Sequence, residues 1–128
     1  MLATRLTLAA AALCAGISTV AAKDIPPGDV KIVDGKVTQA VTDAAVSVAD
    51  GRKAFADRKL GNCLAERWTP EELRAIVINS KAVFGEQTVM PGFYSLDVGV
   101  NVREDLVGKT ILTAEQVESI VAYLATLK

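Results

Sequence analysis

Two sulfur-bearing side chains, Cys63 and Met90, are the residues of this sequence best suited to hold a cofactor or a metal ion. A lone cysteine ordinarily packs as a small apolar group, and a lone methionine ordinarily fills a gap in a core or lies at the surface. The sequence contains no histidine, so the commonest general base and metal ligand is missing. The residues alone therefore leave open whether either sulfur atom binds anything.

The start of the chain predicts an exported protein whose mature part carries Cys63 alone. Leu8 to Val20 is an apolar run of the length of an export signal, and Ala21-Ala22 supplies small residues for cleavage. The run is shorter than the roughly 20 residues that cross a membrane, and a large residue before Cys14 disfavours lipidation. We expect a signal peptide over 1–22 and a periplasmic location. A lone thiol in such a protein suggests a partner cysteine, a cofactor bond or a reactive thiol.

Length and charge limit the remaining possibilities. The 128 residues suit a single domain. The 14 Lys and Arg side chains nearly balance the 15 Asp and Glu side chains. The sequence therefore predicts no basic patch for nucleic acid and, after signal cleavage, no basic amphipathic helix for a membrane surface.

Three segments of the chain predict helices. The first covers 47–60 and ends at Gly61-Asn62, residues that favour a helix C-terminus. The second begins at Thr69, which with Glu72 forms a capping box, and ends near Asn79-Ser80. Its inner face is predicted to consist of Leu73, Ile76 and Val77.

The last helix has the clearest pattern. Thr113 and Gln116 form a second capping box. The apolar residues that follow repeat at the spacing of one buried helix face, namely Val117, Ile120, Val121, Leu124 and Leu127. We expect Phe55 of the first helix to pack against this face.

The remaining segments predict little regular structure. Residues 23–46 look like an irregular arm with one small hairpin at Asp34-Gly35. Residues 81–110 predict a long irregular connection that contains Met90, and long connections in small domains are often functional. The predicted fold is all-α, with three helices after an irregular arm.

Three sequence segments in this order resemble a small class I cytochrome c, and their residues are most similar to those of the SoxX family of bacterial sulfur oxidation. They are the phrase Gly61-Asn62-Cys63-Leu64-Ala65 after the first helix, the loop Thr88-Val89-Met90-Pro91, and the closing Ile111-Leu112-Thr113-Ala114-Glu115-Gln116-Val117. The resemblance covers about residues 45–128. It implies a cytochrome-c-like domain over 47–128 that follows the arm over 23–46.

The resemblance also implies a haem c site, but this sequence departs from the family's haem-binding motif. In that family a Cys-x-x-Cys-His motif bonds the haem and supplies one iron ligand, and a loop methionine supplies the other. Cys63 matches the first motif cysteine and Met90 the distal methionine, but Glu66 and Arg67 stand where the second cysteine and the histidine belong. The sequence resembles the family with an internal deletion after Ala65.

By resemblance the chain is an electron-transfer subunit that binds haem c and is not itself catalytic. Its partner would be a SoxA-like dihaem or monohaem cytochrome subunit in a complex that oxidises thiosulfate onto a carrier cysteine. A soluble c-type cytochrome would accept the electrons. An alternative is a haem-free helical module that docks on a SoxA-like partner through its arm and last helix. A thiol enzyme using Cys63 is disfavoured because no histidine is present to activate it.

The missing motif residues have a consequence for folding. A cofactor pocket of about 300–1,000 Å³, left empty, would cost on the order of 7–24 kcal/mol at about 24 cal/mol per Å³, against a domain stability of about 5–15 kcal/mol. We therefore expect no haem crevice and a close link between the first two helices across 63–68. Met90 should then turn into the core beside Leu73 and Val77.

Overall fold

Helices supply the regular secondary structure of this protein. The computed structural model describes residues 21–57, 67–99 and 102–127. It contains α1 (Val48–Asp57), α2 (Pro70–Ile78), α3 (Ser80–Phe84) and α4 (Ala114–Ala125), with 3-10 turns at Pro27–Asp29 and Glu104–Leu106. Pairing between extended segments in these ranges is limited to two isolated β-bridges. The all-α prediction is confirmed.

The short helix α3 lies where an irregular connection was expected. Asn79 ends α2 by donating its backbone N–H to Ala75, and its side chain then accepts the N–H of Ala82 at 3.4 Å to start α3. Gly85, with φ of 89°, ends the helix after five residues. A single polar residue that caps the end of one helix and the start of the next allows a sharp change of direction. The hydrophobic periodicity of the sequence does not reveal such a break.

Both predicted capping boxes are present. Thr69 Oγ1 accepts the Glu72 N–H at 3.3 Å, and Glu72 Oε2 accepts the Thr69 N–H at 2.8 Å. Thr113 and Gln116 repeat the arrangement at 3.2 and 3.0 Å. The hydrogen bond from the Thr69 backbone lowers the pKa of the Glu72 carboxyl below its ordinary value. Because the pKa of Glu72 is lower in the folded state, its ionised carboxylate stabilises the fold at pH values above the ordinary pKa. This stabilisation is lost as the pH falls through the lowered pKa.

Helices α1 and α4 cross at very close range. Gly51 is buried against the backbone of Ser119, where a β-carbon on Gly51 would stand 1.8 Å from the Ser119 carbonyl oxygen. One turn further along α1, the ring of Phe55 lies 5.8 Å from the ring of Tyr123. The predicted packing of the first helix on the last is therefore confirmed, with glycine rather than phenylalanine at the closest point.

The apolar face of α4 forms the centre of the core. Val117, Ile120, Val121 and Leu124 are all buried, as the sequence predicts. Leu127 is 41% exposed, so the prediction for this residue is wrong. The helix ends at Ala125, and a residue beyond its end no longer follows the helical period.

The arm is irregular, as predicted, and is fastened to the helices. Its hairpin is a single bridge between Val33 and Lys36, with positive φ at Asp34 and Gly35 as a tight turn of this kind requires. Further along the arm, Val37 and Val41 are buried in the core. The arm therefore contributes apolar side chains to the same core as the helices.

A buried ion pair joins the arm to two helices. Arg74 on α2 donates from Nε to Glu118 Oε1 at 2.8 Å and from Nη2 to Oε2 at 3.0 Å. Its third nitrogen donates to the Val37 carbonyl at 2.8 Å, and the Val41 N–H donates to Glu118 Oε1 at 2.9 Å. The Arg74 side chain is 12% exposed and that of Glu118 only 5%. These four hydrogen bonds fix the arm on α2 and α4.

Replacing Gly51 with alanine should destabilise the protein strongly. Overpacking costs about 1–3 kcal/mol and occasionally more, and we expect the upper end of that range because the obstacle is the Ser119 backbone. Urea unfolding followed by circular dichroism measures the change. Gly28→Ala is the matched control, since nothing lies within 4 Å of its β-carbon position, and it should change stability by less than about 0.5 kcal/mol. Equal stability of the two variants would contradict the helix crossing described.

Breaking the buried ion pair should cost more than breaking an exposed one. Arg74→Met leaves the Glu118 carboxylate buried without its partner, which costs about 3–5 kcal/mol. Arg103→Met, the control, removes a surface pair with Asp105 in which Arg103 is 78% exposed, and should cost at most about 1 kcal/mol. The double variant Arg74→Met with Glu118→Leu should lose less stability than the two single changes together. Strict additivity in urea unfolding would show that the two side chains are not coupled.

Candidate functional site

The loop that carries Met90 is held in place by α2 and α3. The Ser80 hydroxyl, fully buried, donates to the Met90 carbonyl at 2.6 Å and also lies 3.3 Å from the Pro91 carbonyl. Beyond the turn, the Phe93 N–H donates to Val77 and the Tyr94 N–H to Ile78, at 3.3 and 3.1 Å. These hydrogen bonds join the loop to α2 and α3.

Met90 itself is half-buried. It packs against the core cluster that includes Leu73 and Val77, in agreement with the expectation that its side chain turns into the core. On its outer side lies a groove of roughly 570 Å³ that is partly open to solvent. The groove is also lined by Lys81, Glu86 and the fully exposed Val89.

The polar side chains in this groove do not form a metal site. Lys81 Nζ lies 3.7 Å from Glu86 Oε2, so the amine and the carboxylate face each other. Among the described residues that line the groove, the Met90 thioether is the only soft donor. Within the described part of the chain, no cluster of three or more His, Cys, Asp or Glu residues could hold a metal ion.

Two aromatic residues lie on neighbouring elements near the start of α2. Trp68 precedes its cap and is half-buried against the core. Its ring meets that of Phe84 on α3 edge to face, with centroids 5.8 Å apart. Trp68 thus acts as a packing anchor, and half of the Phe84 side chain is left exposed.

Tyr94 ties the Met90 loop to the arm. Its hydroxyl donates to the Ile25 carbonyl at 2.8 Å. Burial raises the pKa of the Tyr94 phenol above its ordinary value, and the nearby Asp24 charge adds to the shift. Neither Tyr94 nor Ser80 stands out in the sequence, because each bonds to a residue that no local pattern connects to it.

Cys63, the other candidate site residue, lies outside the described residues, as do Glu66 and the rest of 58–66. The predicted close link across 63–68 is therefore a prediction still, and so is the role of Met90 as an iron ligand. Arg67 is described and is exposed ahead of α2.

Comparison with known proteins decides which fold this is. No family model matches the chain, and no curated protein matches it. Among solved structures it is similar to a chain in the crystal structure of SoxXA from P. pantotrophus. The two are 29% identical with a TM-score of 0.68, over 82% of this chain and 98% of that chain. This chain is SoxX-like. The recognition made from the three sequence segments is thereby confirmed.

A SoxX-like fold raises the question of haem c, and the donors of this chain do not fit that group. Attachment needs two thiols in a Cys-x-x-Cys-His motif and the histidine as an iron ligand. Beyond residue 22 the chain has one cysteine, and the whole sequence has no histidine. Arg67, at the histidine position, carries a guanidinium group, which has hydrogen-bond donors and no acceptor lone pair to offer to iron. We therefore derive no step through haem.

In the described ranges, no helix combines the length and the apolar character that a membrane crossing requires.

Removing the Ser80 hydroxyl should loosen the Met90 loop. Ser80→Ala removes the fully buried hydroxyl that donates to the Met90 carbonyl, at a cost of about 1–3 kcal/mol. Amide hydrogen exchange should become faster in the segment around Phe93 and Tyr94, while α4 stays protected. Ser95→Ala is the control, because Ser95 accepts one local hydrogen bond from Asp97. Unchanged exchange around Tyr94 in Ser80→Ala would show that the loop is held by something else.

Proposed function

We propose that this chain serves as the SoxX-like small subunit of a SoxA-containing complex in sulfur oxidation. The support is the similarity to a SoxXA chain over nearly all of that chain's length. The proposal includes export to the periplasm by cleavage of the signal at 1–22. It also divides the mature chain into the arm at 23–46 and the cytochrome-c-like domain at 47–128.

The electron-transfer part of this role depends on a redox group. A SoxX-like subunit by resemblance passes electrons through haem c, from the thiosulfate-oxidising complex to a soluble c-type cytochrome. The donor set of this chain does not supply the usual attachment, since the second cysteine and the histidine are absent. The residues present therefore favour assembly with the SoxA-like partner over a relay through this chain's own centre.

A second candidate function follows from that observation. The chain would be a haem-free helical module whose task is to dock on the SoxA-like cytochrome. Both capping boxes, the α1–α4 crossing and the attachment of the arm are formed by contacts within the polypeptide. Large apolar side chains are exposed on the loops and on α3, namely Phe84, Val89, Leu96 and Val107. Exposed apolar surface of this kind often marks contact with another protein.

Co-purification with the SoxA-like cytochrome of the same organism tests the proposal. We expect a tagged chain, exported with its leader, to retain that cytochrome at equal stoichiometry through gel filtration. An unrelated periplasmic c-type cytochrome is the control partner and should not be retained. Failure to retain the SoxA-like partner would contradict both forms of the proposal.

Two further measurements on the co-purified complex separate the two forms. Covalent haem on this chain, seen by haem staining after denaturing electrophoresis, would support electron transfer through the chain itself. Reduction of a soluble c-type cytochrome by thiosulfate, in a complex whose small subunit carries no haem, would support the docking role.

A further inference from the structure

We infer that this chain forms its helical domain with its own side chains alone and carries no covalent haem. The inference rests on the proposed function only in naming haem c as the group that a SoxX-like fold would ordinarily hold. Three observations support it, from the core, from the Met90 loop and from the attachment motif.

The core of the described residues is already closed. Leu73, Leu112, Val117, Ile120 and Leu124 are at most 1% exposed and belong to one cluster. In the described ranges, every buried side-chain nitrogen or oxygen has a hydrogen-bond partner. The groove beside Met90 and the one between α1 and α4 are both partly open to solvent. A core packed in this way does not depend on a cofactor to fill it.

The loop that would approach iron is also fixed without iron. Ser80 holds the Met90 carbonyl, and Tyr94 is bonded to α2 through its N–H and to the arm through its hydroxyl. On the far side, the N–H groups of Ile111 and Leu112 both donate to Phe93 at 3.0 and 2.9 Å. The loop is therefore joined to α2, to the arm and to the segment that leads into α4. Loss of an iron–sulfur bond would leave all of these contacts in place.

The attachment chemistry points the same way. A thioether link to haem forms when a cysteine thiol adds across a vinyl group of the macrocycle, with the thiol proton going to the other vinyl carbon. One such addition at Cys63 would leave the second vinyl group unreacted, and no imidazole would be present to hold the iron beside it. The chain also lacks the Cys-x-x-Cys-His pattern that identifies c-type attachment sites.

The test compares the chain in two hosts. The full chain with its leader is exported in a bacterium that carries the c-type maturation machinery, and the chain from Lys23 onward is made in a cytoplasm without that machinery. We expect the same haem-free polypeptide mass, apart from the starting residue, in both preparations. We also expect no haem-dependent peroxidase stain, and a helical circular dichroism spectrum that melts cooperatively at similar temperatures. An added haem mass on the exported chain would overturn the inference, and so would a non-cooperative, unfolded spectrum of the cytoplasmic chain.

A restored motif provides the matched control. Glu66→Cys together with Arg67→His recreates Cys-x-x-Cys-His starting at Cys63, and in the maturation host this variant should gain covalent haem on a large fraction of chains. Cys63→Ser in the otherwise unchanged chain should change the mass only by the substitution itself. It should leave the melting temperature unchanged. A drop in haem content on Cys63→Ser would reveal haem on the parent and overturn the inference.

The outcomes stay separate from those of the proposed function. A haem-free, folded chain that fails to retain a SoxA-like cytochrome would uphold this inference and contradict the docking role. A haem-loaded chain that retains the partner would overturn this inference and support the electron-transfer form of the proposed function.

Discussion

The carboxylate of Glu118 connects α4, α2 and the arm. It lies on α4, accepts two hydrogen bonds from Arg74 on α2 and accepts a third from the Val41 N–H of the arm. A buried charge is costly unless donors replace its lost hydration, and here three donors do so. The third guanidinium nitrogen of Arg74 donates to the Val37 carbonyl. Because Val37 and Val41 are the apolar residues that the arm buries, the ion pair fixes where the arm enters the core.

The second constraint is the distance between α1 and α4. Gly51 allows the two backbones to approach until a methyl group no longer fits, and the Phe55–Tyr123 contact sets the next turn. Helices at this distance bring the Ser47 N–H to 3.3 Å from the Ser119 hydroxyl. The adjacent residues Glu118 and Ser119 of α4 therefore fix the arm and α1 respectively. The last helix thus serves as the frame on which the other segments are placed.

How far the sequence could predict this structure depends on the range of each interaction. The capping boxes at Thr69 and Thr113 and the apolar face of α4 are local patterns, and they were predicted correctly. The Arg74–Glu118 pair joins residues 44 positions apart, and the Ser80–Met90 bond crosses a loop, so neither has a local signature. The α3 helix was missed because one asparagine caps two helices. The prediction for Leu127 was wrong because the helix ends before that residue. Of the two candidate site residues, Met90 is found against the core as expected, while Cys63 lies outside the described residues.

The interactions that determine the fold and those that would bind haem involve different residues. The fold depends on Gly51, Ser80, Arg74, Tyr94 and Glu118, none of which is a haem donor. The attachment motif depends on the positions at and just after Cys63, where the chain keeps one thiol and has a carboxylate and a guanidinium in place of the second thiol and the imidazole. A change confined to the attachment motif therefore removes the chemistry of haem attachment. It leaves in place every hydrogen bond and buried contact described for the residues that hold the fold. A chain can therefore keep a SoxX-like fold at 29% identity while its donor set no longer suits haem c. Similarity of fold and suitability for the cofactor are separate properties of this protein, and each needs its own measurement.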